Sequence, residues 1–221
     1  MLEPRLYKFA EIAAYLHAGR ARGVRDKLTR YDVDFIEGGG QRDQTKTYEI
    51  TAIHDPFKLF CVFDLGISPQ TDFHKLRDFV FYLLTDDDFS WRPMEMMEAY
   101  LRRRFPNGAS RQTISNYLRI FKDRELIADN GEYVYYKVIR GAEQSHEIIT
   151  KADYSAAWAF YWDRRNDGDD SDLAFSRMYH WLGGVPRKQR RINQNAFYLD
   201  TLDRLEQYAA ESMLAEYGEI L

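Results

Sequence analysis

Apolar side chains recur at helical spacing in several separate stretches, and the intervals between some of them carry strand-like alternation. Residues 8–17 place Phe9, Ile12, Ala13 and Leu16 on one face before Ala18-Gly19 ends the run, which predicts a short amphipathic helix and a turn. Over residues 22–31, Val24, Leu28 and Tyr31 share a face while Arg22, Arg25, Lys27 and Arg30 crowd the others, a second helix with a basic surface. Residues 33–37 and 47–53 are rich in β-branched and aromatic side chains around the loop 38–46, which predicts a hairpin with a flexible tip.

From Asp55-Pro56 to Ser68-Pro69 the chain is strongly apolar between two prolines, a connector holding one buried strand or short helix. Beyond it Phe73, Leu76, Phe79, Val80, Leu83 and Leu84 form a helical face with Asp72 as its cap. The acidic run Asp86-Asp-Asp closes that helix. Pro93 suits the first turn of another, which Met96, Met97, Tyr100, Leu101 and Phe105 continue to Pro106-Asn-Gly. A third helix starts at the N-cap Ser110 and buries Ile114, Tyr117, Leu118, Phe121 and Leu126. The segment after it contains Asn130-Gly131, a dipeptide that favours a tight hairpin turn, within an alternating β-rich stretch, and so predicts a wing.

The last 70 or so residues read as helices: one marked by Tyr154, Trp158, Tyr161 and Trp162, one from Leu173 to Leu182 and one from about Asn195, with a flexible basic loop at 183–191. These elements predict a mainly α protein with small β-hairpins. Its organisation is an N-terminal unit at 1–54, a connector at 55–71, a second unit at 72–140 and a helical C-terminal domain at 146–221. The order helix, turn, helix, hairpin occurs twice, which suggests an internal duplication of fold.

Composition changes this picture in two places. The chain has 221 residues, 45% of them hydrophobic, with 16 Tyr, 14 Phe and 4 Trp, so several cores can be built. Its net charge of −4 runs against the basic excess usual in nucleic-acid binders, yet the acid is spread along the chain, and binding depends on the local field near the phosphates. No stretch approaches the roughly 18 apolar residues of a membrane helix and no signal sequence opens the chain, so no membrane partner and a cytoplasmic location are expected. Cys61 is the one cysteine and lies in an apolar run, a small buried hydrophobe without disulfide or zinc chemistry.

The run Ser110-Arg-Gln-Thr-Ile-Ser-Asn-Tyr-Leu-Arg-Ile-Phe, followed by Glu-Leu-Ile and the expected wing, resembles the recognition helix of winged helix-turn-helix regulators. The first unit resembles the same family more faintly. The resemblance implies two tandem winged helix-turn-helix units plus the helical C-terminal domain, with double-stranded DNA as partner. In such a helix one face is buried and the other reads the major groove, where Arg pairs with guanine and Asn or Gln with adenine. The outward residues are then Arg111, Gln112, Ser115, Asn116 and Arg119, with Lys122 nearby, while Arg22, Arg25, Lys27 and Arg30 suit phosphate contact. Arg42 and Lys46 on the first hairpin loop could reach a backbone, whereas Asp129-Asn-Gly-Glu would repel one. Arg102-Arg-Arg104 serves equally as a helix C-terminal charge or a phosphate contact.

No metal-ligand spacing, phosphate loop or nucleophile motif occurs, so neither catalysis nor a cofactor is expected. The expected activity is sequence-specific duplex-DNA binding in transcription regulation. Two alternatives stay open: a replication or partition role, from resemblance to tandem winged-helix initiators of plasmids and phages, and a protein-interaction module that does not bind DNA. A homodimer is expected through the final helix, whose Phe197, Leu199, Leu202, Leu205 and Tyr208 could be shared or could close an intramolecular core.

Overall fold

The computed structural model describes residues 1–85, 97–98, 101–103, 109–141 and 145–218, with Asn130 as backbone only. Within them the protein is mainly helical, with two three-stranded antiparallel sheets. The chain divides into two compact units. Unit 1 comprises the described residues of Met1–Asp87, Met94–Leu126 and Ala196–Leu221, and unit 2 contains Ile127–Asn195. These divisions cut across the expected domains at 72–140 and 146–221.

Unit 1 begins with β1 (Leu6–Lys8), α1 (Phe9–Tyr15), α2 (Ala21–Arg30), β2 (Val33–Gly39) and β3 (Lys46–Ile53). The sheet order is β1-β3-β2, so the strand before the two helices pairs with the last strand of the hairpin. Ile12, Leu16, Val24 and Leu28 from the helices meet Tyr7, Val33, Tyr48 and Ile50 from the sheet in one core. The chain turns between α1 and α2 at His17, whose φ of 50° places it in the left-handed region. Lys27 holds that turn by donating from Nζ to the carbonyls of Leu16 (2.6 Å) and His17 (3.1 Å). The loop expected to be a flexible tip is tied down. A 3-10 turn spans Asp43–Thr45, and the Asp43 carboxylate accepts from the Ala21 N–H at 3.0 Å, occupying the open amino end of α2.

The apolar connector is a helix, α3 (Pro56–Phe63). Asp55 caps it by accepting from the Lys58 N–H at 2.9 Å, Pro56 fills its first turn, and Cys61 is buried within it. Next come α4 (Phe73–Thr85), helical backbone at Met97, Glu98 and 101–103, and α5 (Arg111–Asp123). The acidic run 86–88, Pro93, Met96, Tyr100, Arg104, Phe105 and Pro106-Asn-Gly lie outside the described residues. Leu76, Phe79, Val80, Leu83, Met97, Leu101, Ile114, Tyr117 and Phe121 are buried, and the rings of Phe79 and Tyr117 approach to 5.4 Å.

The final helix, α8 (Leu199–Tyr217), packs on α3 and α4. It buries Leu202, Leu205, Ala209 and Met213, spaced three or four apart, and Tyr208 meets Phe60 at 5.7 Å. The stripe expected to serve a dimer is therefore consumed within its own unit, leaving Phe197 and Leu199 outside.

Unit 2 contains β4 (Ile127–Ile139), β5 (Ser145–Ile149), α6 (Lys151–Asn166), α7 (Ser171–Leu182) and β6 (Val185–Gln194), with sheet order β5-β4-β6. Two local expectations are corrected here. Asn130-Gly131 makes no hairpin turn: β4 continues through it, and its register against β6 shifts between Asp129 and Tyr133. Gly131, at a φ of 82°, takes the left-handed conformation that such a bulge requires. The basic segment 183–191 is no loop either, since β6 begins at Val185 and pairs along β4. Gly183 closes α7 at a φ of 72°, and the chain turns directly into β6. Among the described residues no helix is long and apolar enough to cross a membrane.

Candidate nucleic-acid interface

Ser110 fixes where α5 begins, its hydroxyl accepting from the Thr113 N–H at 3.3 Å. With Ile114, Tyr117, Leu118 and Phe121 buried, the 3.6-residue period turns Arg111, Gln112, Ser115 and Arg119 to the exterior. Asn116 is half-buried at the edge of that face and accepts from Gln112 Nε2 at 3.1 Å, an i to i+4 amide pair. Arg111 is anchored to Glu98 at 3.2 Å. Arg119 is exposed, and Lys122 is half-buried near the end of the helix. The outer face thus offers two guanidinium groups, two amides and a hydroxyl in a little over two turns.

The basic cluster of α2 separates into two kinds of residue. Arg25 donates from Nη1 to both carboxylate oxygens of Glu37 on β2, at 3.0 and 3.2 Å, and Glu37 also pairs with Lys46. The Lys46 hydrogen bond, working against the effect of burial and aided by Arg25, holds the Glu37 carboxyl below the usual carboxylate range. With Lys27 tied to the carbonyls of Leu16 and His17, three of the cations singled out in this unit act inside the fold. Arg22 and Arg30 of α2 are exposed, as is Arg42 on the hairpin loop. Arg22 makes only a 3.8 Å contact with Asp26 in which both side chains are largely exposed, a pair of little energetic weight.

The other arginines sort the same way. Arg102 pairs with Glu98 at 2.6 Å, and Arg103 is exposed. Arg124 closes the carboxyl end of α3 by donating to the carbonyls of Leu65 and Gly66, and it also reaches Ile120 within its own helix at 3.0 Å. On β6 the basic run becomes a strand with its cations divided between two faces: Lys188 and Arg190 point one way, Arg187 and Arg191 the other.

Arg77 is another cation that periodicity did not single out, 3% exposed on α4. It pairs with Asp78, itself fully buried, at 3.0 Å and with Glu216 of α8 at 2.6 Å, and also donates to Ser212 (3.2 Å) and Tyr217 (3.1 Å). Burial works against the cation, but these carboxylates outweigh it and raise its pKa. An arginine on a predicted amphipathic helix carries no sequence signal of Ser212, Glu216 and Tyr217, which lie 135 to 140 residues away. The group positions α8 on α4 and is remote in kind from recognition chemistry.

Among the described residues no group of three or more metal-ligating side chains occurs. Comparisons with family models, with curated proteins and with solved structures return no match.

Proposed function

We propose that this chain is a sequence-specific duplex-DNA-binding protein that regulates transcription, built on a winged-helix-like arrangement at its amino end and on α5 as a recognition helix. The observation that carries the reading is the outward face of α5: Arg111, Gln112, Ser115, Asn116 and Arg119 on a capped helix whose opposite face is buried. Those side chains match the hydrogen-bonding edges of the major groove, and a helix of this diameter fits it. The arrangement in unit 1 supports the same reading, because a helix pair closed by a β1-β3-β2 sheet gives α2 a hairpin at its side, as a winged helix requires. There Arg22, Arg30 and Arg42 are the phosphate-contacting set, while Arg25, Lys27 and Lys46 hold the unit together. A homodimer through α8 is not part of the reading, and no catalytic step or cofactor belongs to it.

A second reading, a protein-interaction module, draws on the α6–α7 pair. There Trp162 and Trp181 are more than half exposed and Phe160 stacks on Trp181 at 5.5 Å. Salt-dependent duplex binding separates the two readings. In the double variant Arg22→Ala/Arg30→Ala the affinity is expected to fall alike on every duplex sequence, and the slope of log K against log salt to become shallower by about 1.8, about 0.9 for each lost phosphate contact. An unchanged slope, measured by fluorescence anisotropy, would remove α2 from the interface.

A further inference from the structure

One face of the unit 2 sheet combines cations with tyrosine rings in a way that α5 does not. Tyr133 lies opposite Arg190 and Tyr135 opposite Lys188, and residues directly opposite in an antiparallel pair share a face. Lys188 Nζ is 5.0 Å from the centroid of the Tyr133 ring and the Arg190 guanidinium carbon is 5.8 Å from it. The rings form a ladder, with Tyr133 to Tyr135 at 6.5 Å and Tyr135 to Tyr154 of α6 at 5.1 Å. Tyr133 is 39% exposed, and Lys188 and Arg190 are exposed beside it. The hydrogen bond and charge of Arg190, with Lys188 behind them, hold the Tyr133 phenol below its ordinary pKa, a mark of locally positive potential in a chain of net charge −4.

A duplex keeps the faces of its bases stacked on one another, so an exposed ring between two cations has little to offer it beyond phosphate contact. An unpaired strand presents both a base face for the ring and phosphates for the cations. We propose that Tyr133, Lys188 and Arg190 form a binding strip for single-stranded nucleic acid, with a base stacked on Tyr133 and the adjoining phosphates met by Lys188 and Arg190. The site lies in unit 2 and uses none of the residues assigned to duplex recognition, so it stands or falls independently of that reading.

The test is fluorescence anisotropy of the full chain at low salt with labelled oligothymidine and oligouridine strands about 12 nucleotides long, within the site sizes known for such grooves. The wild type is expected to bind. Tyr133→Ala should weaken binding about tenfold, in line with the cost of losing one stacked base, while Tyr133→Phe, which keeps the ring, stays within about threefold. Lys188→Gln/Arg190→Gln should weaken it further and flatten the salt slope by about 1.4, about 0.7 per cation on a single strand. The relative affinity for the two oligomers tells whether DNA or RNA is the preferred strand. Absence of single-strand binding by the wild type, or equal binding by wild type and a folded Tyr133→Ala, overturns the proposal. Loss of duplex binding in α5 variants with single-strand binding intact would separate the two sites.

Discussion

Replacing Arg77 by Ala is expected to destabilise unit 1 by about 3–5 kcal/mol, seen as a fall in the urea midpoint. The change removes the cation facing the fully buried Asp78 and, at the same time, the partner of Glu216 and a donor to Ser212 and Tyr217 on α8. Breaking such a group costs more than the pair adds, because a carboxylate stays behind in a low-dielectric site. Asp78→Ala made in the Arg77→Ala background should therefore cost less than it does alone. The acid limb carries a second signature. Burial alone would raise the Glu216 carboxyl, but the Arg77 hydrogen bond and charge outweigh it and the net shift is downward. A carboxylate with a lowered folded pKa contributes stability that is complete above its unfolded pKa of about 4.3 and is lost as the pH falls through the folded value. Without Arg77 that part of the acid sensitivity should diminish. A midpoint within about 1 kcal/mol of wild type in stability would show that α8 is held by its apolar stripe alone.

The second large effect is expected at α5. Asn116→Ala/Arg119→Ala should lower affinity for a selected duplex site by about 10²- to 10³-fold, since each side chain paired with a base edge is worth about 1–3 kcal/mol. Affinity for random duplex should fall much less, because that term comes from phosphate contacts. The two positions are three residues apart on one face, Asn116 oriented by its pairing with Gln112 and Arg119 exposed. Equal losses on selected and random duplex, compared by anisotropy or gel shift, would make α5 a backbone contact instead of a reading element.

How far the sequence disclosed this protein depends on whether a signal was local. α5 was legible because its cap, its apolar spacing and its outward polar set all lie within 13 residues. The apolar spacing that marked α1, α2 and α4 is equally local. At 55–71 the apolar run could not distinguish a strand from a helix, although Asp55-Pro56 already carried a cap and a first-turn proline. Three strands were missed: β1 is three residues long, too short for alternation, and exists by pairing with β3, β5 falls where a helical domain was expected and exists by pairing with β4, and β6 was hidden by glycines and cations until β4 paired with it. Asn130-Gly131 suits a turn and a bulge equally, since both need a positive φ. The α8 stripe would look the same in a dimer and in a core.

The candidate site divides along the same line. The exterior of α5 followed from periodicity, whereas the roles of Arg25 and Lys27 rest on Glu37 and on the carbonyls of Leu16 and His17, 10 to 12 residues distant, which no helical spacing reveals. Composition pointed the wrong way in one respect. Two of the four cations that made α2 look like a phosphate surface, Arg25 and Lys27, are held inside the fold by the Glu37 carboxylate and by the carbonyls of Leu16 and His17.

The central claim is tested most directly by fluorescence anisotropy of the full-length protein with mixed-sequence duplex DNA, titrated from low to physiological salt. Micromolar or tighter binding at low salt that weakens steeply as salt is added is the expected result, because it reports counterions displaced by the exposed arginines. Absence of duplex binding even at low salt would contradict the account and leave α2 and α5 as parts of a protein-binding scaffold.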